Sequence, residues 1–165
     1  VIGDKGKPKS FFSLITHHLS LITIFMAEQI QLEVVTPERR LLAEAVDSVN
    51  VPGLNGELGI LPGHTPLISQ LQTGVLSFVQ NGATHRLHVS GGFVEVNADR
   101  VSVLAEIAER PEEIDAARAR LAREHAEKSL SAFNGTEEDF EIARARLERN
   151  VVRLQLATGA PNIHG

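Results

Sequence analysis

The chain has 165 residues and is 42% hydrophobic, which is room for one compact core and a small appendage but short of two ordinary domains. A formal net charge of -5 leaves no basic field to attract phosphate backbones, so nucleic acid is excluded as a first partner. With no cysteine there is no disulfide framework, thiolate zinc site or cysteine nucleophile, and aromatics at 4%, all Phe, disfavour base-stacking and sugar-binding surfaces.

Residues 1–25, VIGDKGKPKSFFSLITHHLSLITIF, set Lys5, Lys7 and Lys9 before an apolar run, the outline of a secretory signal. His17 and His18 interrupt that run, no small-x-small cleavage pattern follows, and it is shorter than the ~20 apolar residues that span a bilayer. The only methionine, Met26, stands just before regular alternation begins. Met26 is therefore expected to be the native start, with residues 1–25 a disordered N-terminal extension.

From residue 29 to residue 107 the sequence breaks into nine short runs that read as strands: QIQLEVV, RLLAE, SVNVP, GELGIL, LISQL, GVLSFVQ, THRLHVS, GFVEV and RVSVLAEI. Turn pairs such as Pro52-Gly53, Asn55-Gly56, Asn81-Gly82 and Gly91-Gly92 separate them. Asn81-Gly82 is the clearest hairpin signal, because a type I′ turn needs positive φ at both central residues. Short strands with tight turns predict a sandwich.

After Ile107 the period changes to a helical one. Pro111 suits a first helical position, Glu112 and Glu113 oppose the helix dipole, and a helix is predicted to about Phe133 with Ile114, Ala117 and Leu121 as its apolar stripe. Asn134-Gly135 stops it. Thr136 and Asp139 then read as a near capping box, opening a second helix with a seam of Phe140, Ala143, Leu147, Val151 and Leu154 that ends at Thr158-Gly159. The Asn134-Gly135-Thr136 glycosylation pattern is read as that stop and cap. Ala119, Ala122 and Ala126 make the contact between the helices thin, so the hairpin is expected to be able to open. The fold class is thus α+β: an N-terminal antiparallel β-sandwich over residues 26–109, a two-helix antiparallel hairpin over 110–158, and a tail over 159–165.

Catalytic constellations are scarce. No Gly-x-Ser-x-Gly elbow displays a nucleophile, and no Walker sequence cradles a phosphate. A cupin-like metalloenzyme using His85, His88 and Glu95 is the rival reading, but two histidines three apart on a strand face opposite ways without a bulge, so surface and hairpin-flank histidines are preferred. Arg146, Arg149 and Arg153 recur on one helix face. Such a row holds phosphates or is a solvated face paired with acids, and spacing alone favours the solvated face.

The phrases VPGLNGELGILPGHTPLISQLQTGVL, VSGGFVEV and VSVLAE, in that order ahead of a helical hairpin, resemble the epsilon subunit of bacterial F-type ATP synthases from Met26 to about Leu156. The resemblance implies a non-catalytic central-stalk subunit that couples proton flow to ATP synthesis. Its sandwich is expected to bind the gamma subunit and the c ring, with Glu57, Leu58, Gly59 and His64 in the contact loop region. When the hairpin extends toward the alpha and beta subunits, it is expected to inhibit ATP hydrolysis. The implied location is peripheral, on the cytoplasmic face of the bacterial inner membrane, with no membrane-spanning segment. Ile114-Asp115-Ala116-Ala117-Arg118-Ala119 matches the ATP-binding motif of some members. Carried over by position, Glu109, Ile114, Asp115, Arg118 and Ala119 belong to the first-helix side of that site, and Arg149 and Arg153 to the second. His125 replaces a further arginine, which implies weak binding of any regulatory ATP; no resident cofactor and no metal are expected.

Overall fold

The computed structural model describes residues 28–159. The expected N-terminal extension, the start at Met26 and most of the tail lie outside the described residues. Eight strands come first: β1 (Ile30–Val35), β2 (Arg40–Val46), β3 (Ser48–Gly53), β4 (Gly56–Ile60), β5 (Leu67–Gln70), β6 (Gly74–Gln80), β7 (Ala83–Val96) and β8 (Arg100–Glu109). Their order is β2-β1-β8-β7-β6-β3-β4, with β5 also paired to β7. Every pair is antiparallel except β1 with β8, which is parallel. The hairpin turn between β6 and β7 has Asn81 at φ 52° and Gly82 at φ 77°, the geometry its sequence predicts.

One expectation is corrected. THRLHVS and GFVEV are not two strands but one, β7, bent at Gly91 and Gly92, which have φ of 66° and 97°. Before the bend, Leu87 and Val89 point into the core; after it, Val94 and Val96 do. The inward face thus passes from odd to even residues while the pairing to β8 keeps its register. β8 makes the matching change, from Val101, Val103 and Ala105 to Ala108. These two strands therefore begin in one sheet of the sandwich and finish in the other. A side chain at Gly92 would bring a Cβ to 2.0 Å from the Leu104 carbonyl oxygen, so the bend needs glycine there. The core enclosed by the two sheets is aliphatic, built around Ile30, Leu32, Val49, Val51, Ile60 and Leu76.

Beyond β8 the helical start differs from the sequence reading. Pro111 opens only a 3₁₀ turn, Pro111–Glu113, and the helix α1 (Ala116–Ser131) begins at Asp115, whose carboxylate accepts the Arg118 backbone N–H at 3.0 Å. A capping carboxylate satisfies an otherwise orphaned donor, so it outcompetes the proline as the start signal. α2 (Glu137–Thr158) begins as expected with a reciprocal box between Thr136 and Asp139, and stops at Gly159 with φ 67°. Phe133 and Phe140 meet edge to face at 5.4 Å across the turn between the helices.

The predicted stripe of α1 is out of phase. Leu121 is 67% exposed, and Ala119 is the buried residue of that helix. Alanine lets two helix backbones approach closely, so the alanine face turns inward and the larger leucine is left outside. In α2 the buried residue is Val152, with Leu147, Val151 and Leu154 half-buried beside it.

Candidate functional site

Between the end of β8 and the two helices lies a cleft of about 420 Å³, within the range of small-molecule sites. It is lined by Glu109, Ile114, Asp115, Arg118, Ala119, Arg149 and Arg153, so the structure brings all seven candidate nucleotide residues together. Glu113, Ala122, Arg146 and Asn150 complete the lining; the sequence marks Arg146 as part of the arginine row, Glu113 as a first-turn acid and Ala122 as a small helix contact, but gives no role to Asn150. Asn150 is legible in hindsight, because it lies four residues after Arg146 and three before Arg153.

Local duties explain much of the motif. Ile114 closes the 3₁₀ turn through its N–H to the Pro111 carbonyl at 3.2 Å. Asp115 caps α1, and Ala119 sits where a larger side chain would push the helices apart. Arg118 has no such task. Among the described residues Arg118, Arg146 and Arg149 enter no ion pair, so three guanidinium groups face the cleft with their forked donors uncommitted.

Arg153 is committed. Its Nε donates to the Glu109 carboxylate at 2.6 Å, and the same carboxylate oxygen accepts from His88 Nδ1 at 2.8 Å. The hydrogen bond from His88, opposed by partial burial and reinforced by the Arg153 hydrogen bond and charge, holds the Glu109 carboxyl down to about 2. Glu113 is likewise lowered, first by its hydrogen bond from Arg39 at 2.7 Å and then by the Arg110 backbone N–H. Those contacts, with Arg110 donating to the Leu41 carbonyl at 3.1 Å, tie the linker to β2. His125 is exposed and lines a neighbouring groove with Asp139, sharing Ala122, Arg146 and Asn150 with the cleft.

The metalloenzyme reading fails on geometry. His85 is exposed and stacks on Phe78 at 5.0 Å, Glu95 is exposed and accepts from Asn97, and His88 faces the opposite side of β7 from His85. Among the described residues no three His, Cys, Asp or Glu side chains form a metal-binding group. The expectation of a surface histidine is corrected for His88. It does point away from the core, as its spacing from His85 predicts, but it is fully buried because α2 covers that face.

The four expected partner contacts are divided. Glu57 and Gly59 lie on the outer face of β4, and Leu58 turns inward to pack on the core. Glu57 also lines a cleft of about 280 Å³ with Val151, Val152 and Gln155 of α2. His64 belongs to the next turn, where its Nδ1–H donates to the Thr65 carbonyl at 2.8 Å, beside Gly63 at φ 76°. On the outer face of the other sheet stands an apolar strip that the sequence did not disclose. Phe93 and Leu104 pair directly across β7 and β8, with Ile68 on the same face of β5; they are 54%, 55% and 75% exposed.

Residues 29–111 match the ATP synthase Delta/Epsilon chain beta-sandwich domain, and residues 112–158 match the long alpha-helix domain of the same chain. Among similar proteins, the ATP synthase epsilon chain of Nitratidesulfovibrio vulgaris (strain DP4) is 44% identical over 135 residues, covering 82% of this chain and 100% of that relative. That of Herpetosiphon aurantiacus is 48% identical over 128 residues, 78% of this chain and 93% of the relative. A chain in the cryo-EM structure of the Euglena gracilis mitochondrial ATP synthase, comprising OSCP, F1 and c-ring, superposes with a TM-score of 0.69 at 25% identity, over 94% of this chain and 91% of that one. Sandwich, hairpin and sequence agree along nearly the whole described length, and the chain belongs to the delta/epsilon chain family of ATP synthase.

Proposed function

We propose that this chain is the epsilon-type subunit of an ATP synthase central stalk: a non-catalytic rotor part whose sandwich docks on the gamma subunit and the c ring. The observation that carries the docking is the strip of Ile68, Phe93 and Leu104. Large apolar side chains grouped on one sheet face favour a protein partner over water. The strip lies on the sheet opposite the one that α2 covers, which leaves both faces in use at once. Attachment in this reading is peripheral, through the rotor and on the side that carries F1; no helix among the described residues is long and apolar enough to cross a membrane. Rotation driven by proton flow passes through this subunit, and nothing in it performs the chemistry.

In the same reading the hairpin regulates. Folded on the sandwich, it leaves ATP hydrolysis free; extended toward the alpha and beta subunits, it inhibits. ATP in the cleft favours the folded state by its differential affinity, with phosphates on Arg118, Arg146 and Arg149. The support is the convergence of the seven motif residues and three uncommitted arginines on one cleft.

Three measurements test this. Leu104→Asp is expected to abolish co-purification with gamma while the chain's own thermal transition stays within a few degrees; retained co-purification would remove the strip from the interface. Truncation before Pro111 is expected to leave assembly intact and raise ATP hydrolysis, and an unchanged rate would end the inhibitory reading. For the nucleotide, thermal unfolding with ATP is compared with Arg118→Ala. Saturating ligand at a hundredfold excess over Kd stabilises by about 2.7 kcal/mol, and no shift at millimolar ATP would leave a hairpin that does not sense it.

A further inference from the structure

Glu109 is the last residue of β8 and the point where the sandwich and α2 touch through charge. One of its carboxylate oxygens takes both Arg153 Nε at 2.6 Å and His88 Nδ1 at 2.8 Å; the other takes a terminal nitrogen of Arg153 at 3.2 Å. An ionised carboxylate only accepts, so the His88 proton is on Nδ1. Among the described residues, this is the single hydrogen-bonded tie between either long helix and the sandwich.

The remaining hold of α2 on the sandwich is modest, since Val152 is that helix's one buried residue. His88, by contrast, is fully buried although it faces away from the core, and its Nε2 finds no partner. An orphaned buried nitrogen destabilises, and an apolar residue at this position would avoid that cost. His88 is also the direct cross-strand partner of Glu109.

We propose that His88, Glu109 and Arg153 form a latch. His88 is the positioning residue: it fixes the Glu109 carboxylate at the sheet edge so that Arg153 of α2 docks onto it. Opening the hairpin breaks the Arg153 pair and bares the imidazole to water, so the three groups release together. The functional meaning of the latch rests on the proposed regulatory hairpin, while its physical existence does not.

Hydrogen exchange of the full chain tests it, with α2 amides read against those of β1 and β8. His88→Leu and Arg153→Gln are each expected to speed α2 exchange by about tenfold or more, the lower end for a hydrogen bond to a charged group, with the β amides unchanged. The double variant is expected to be no faster than the faster single one, because both remove the same tie. His88→Gln, which restores an N–H donor, is expected to recover most of the protection. Unchanged α2 exchange in Arg153→Gln overturns the latch, as do single effects that multiply in the double variant. If His88→Leu does not fold, Arg153→Gln and His88→Gln decide alone. Hydrolysis by the assembled enzyme after truncation reports on the regulatory reading separately, so each can fail without the other.

Discussion

Gly92→Ala is the substitution that tests most directly how this fold is put together. Gly92 has φ 97°, and an added Cβ would stand 2.0 Å from the Leu104 carbonyl oxygen and 3.0 Å from the Ala105 Cα. Backbone, not a flexible side chain, must give way. Forcing an L-residue to positive φ costs about 1–2 kcal/mol, and overpacking adds about 1–3 kcal/mol, so roughly 3 kcal/mol is expected in all. For a sandwich of roughly 80 residues each kcal/mol lowers Tm by about 4–8 °C, which places the loss near 12–24 °C. Circular dichroism melting of the sandwich measures it. Gly82→Ala is the control, having φ 77° with open space around its Cβ, and is expected to bear the conformational cost alone. A Gly92→Ala transition within about 4 °C of the parent would refute the crossing strand as described.

Acid should loosen the hairpin. The Glu109 carboxyl is held from an ordinary 4.5 down to about 2, first by the His88 hydrogen bond and then by the Arg153 hydrogen bond and charge; docking of α2 supplies the Arg153 share, which is complete above pH 4.5 and lost as pH falls toward 2. With a quarter of the Glu109 side chain in water that share is about 1 kcal/mol, and α2 protection followed by exchange from pH 6 to 2 should decline in that window, with Glu109→Gln already low and flat. Within the hairpin, Val152→Ala should increase opening of α2 by roughly 1 kcal/mol or more, whereas Leu121→Ala should stay within about 0.5 kcal/mol. Comparable effects from the two would restore the stripe that the sequence suggested for α1.

What the sequence disclosed follows from how local each signal is. Asn81-Gly82 and the Thr136/Asp139 box encode their geometry within four residues, and both were legible. The crossing of β7 was not, because THRLHVS and GFVEV each alternate correctly within themselves; the clue is that Val89 and Val94 differ in parity across Gly91-Gly92. Asp115 stands out in the sequence through the motif it belongs to and not as a cap, because Pro111 offers an earlier helix start. On α1 two apolar faces competed, and only the partner helix decides that Ala119 turns inward. The opposite facing of His85 and His88 was legible from spacing, but α2, which follows much later in the chain at Glu137–Thr158, is what buries His88, and no local pattern announces that. The cleft residues came from the motif and the arginine row. The apolar strip of Ile68, Phe93 and Leu104 comes from three strands and exists only once they pair.

Because β7 and β8 each run through both sheets, the two halves of the sandwich are joined by continuous backbone as well as by packed side chains. Shear applied to the face that carries Phe93 and Leu104 cannot be relieved by one sheet sliding over the other; it is carried along covalent strands to the side where His88 and Glu109 lie. A part built this way transmits torque as a stiff body. The long helices beyond β8, held to the sandwich by one charged pair, are the compliant part, so the stiff element and the yielding one are mechanically separate within one small protein.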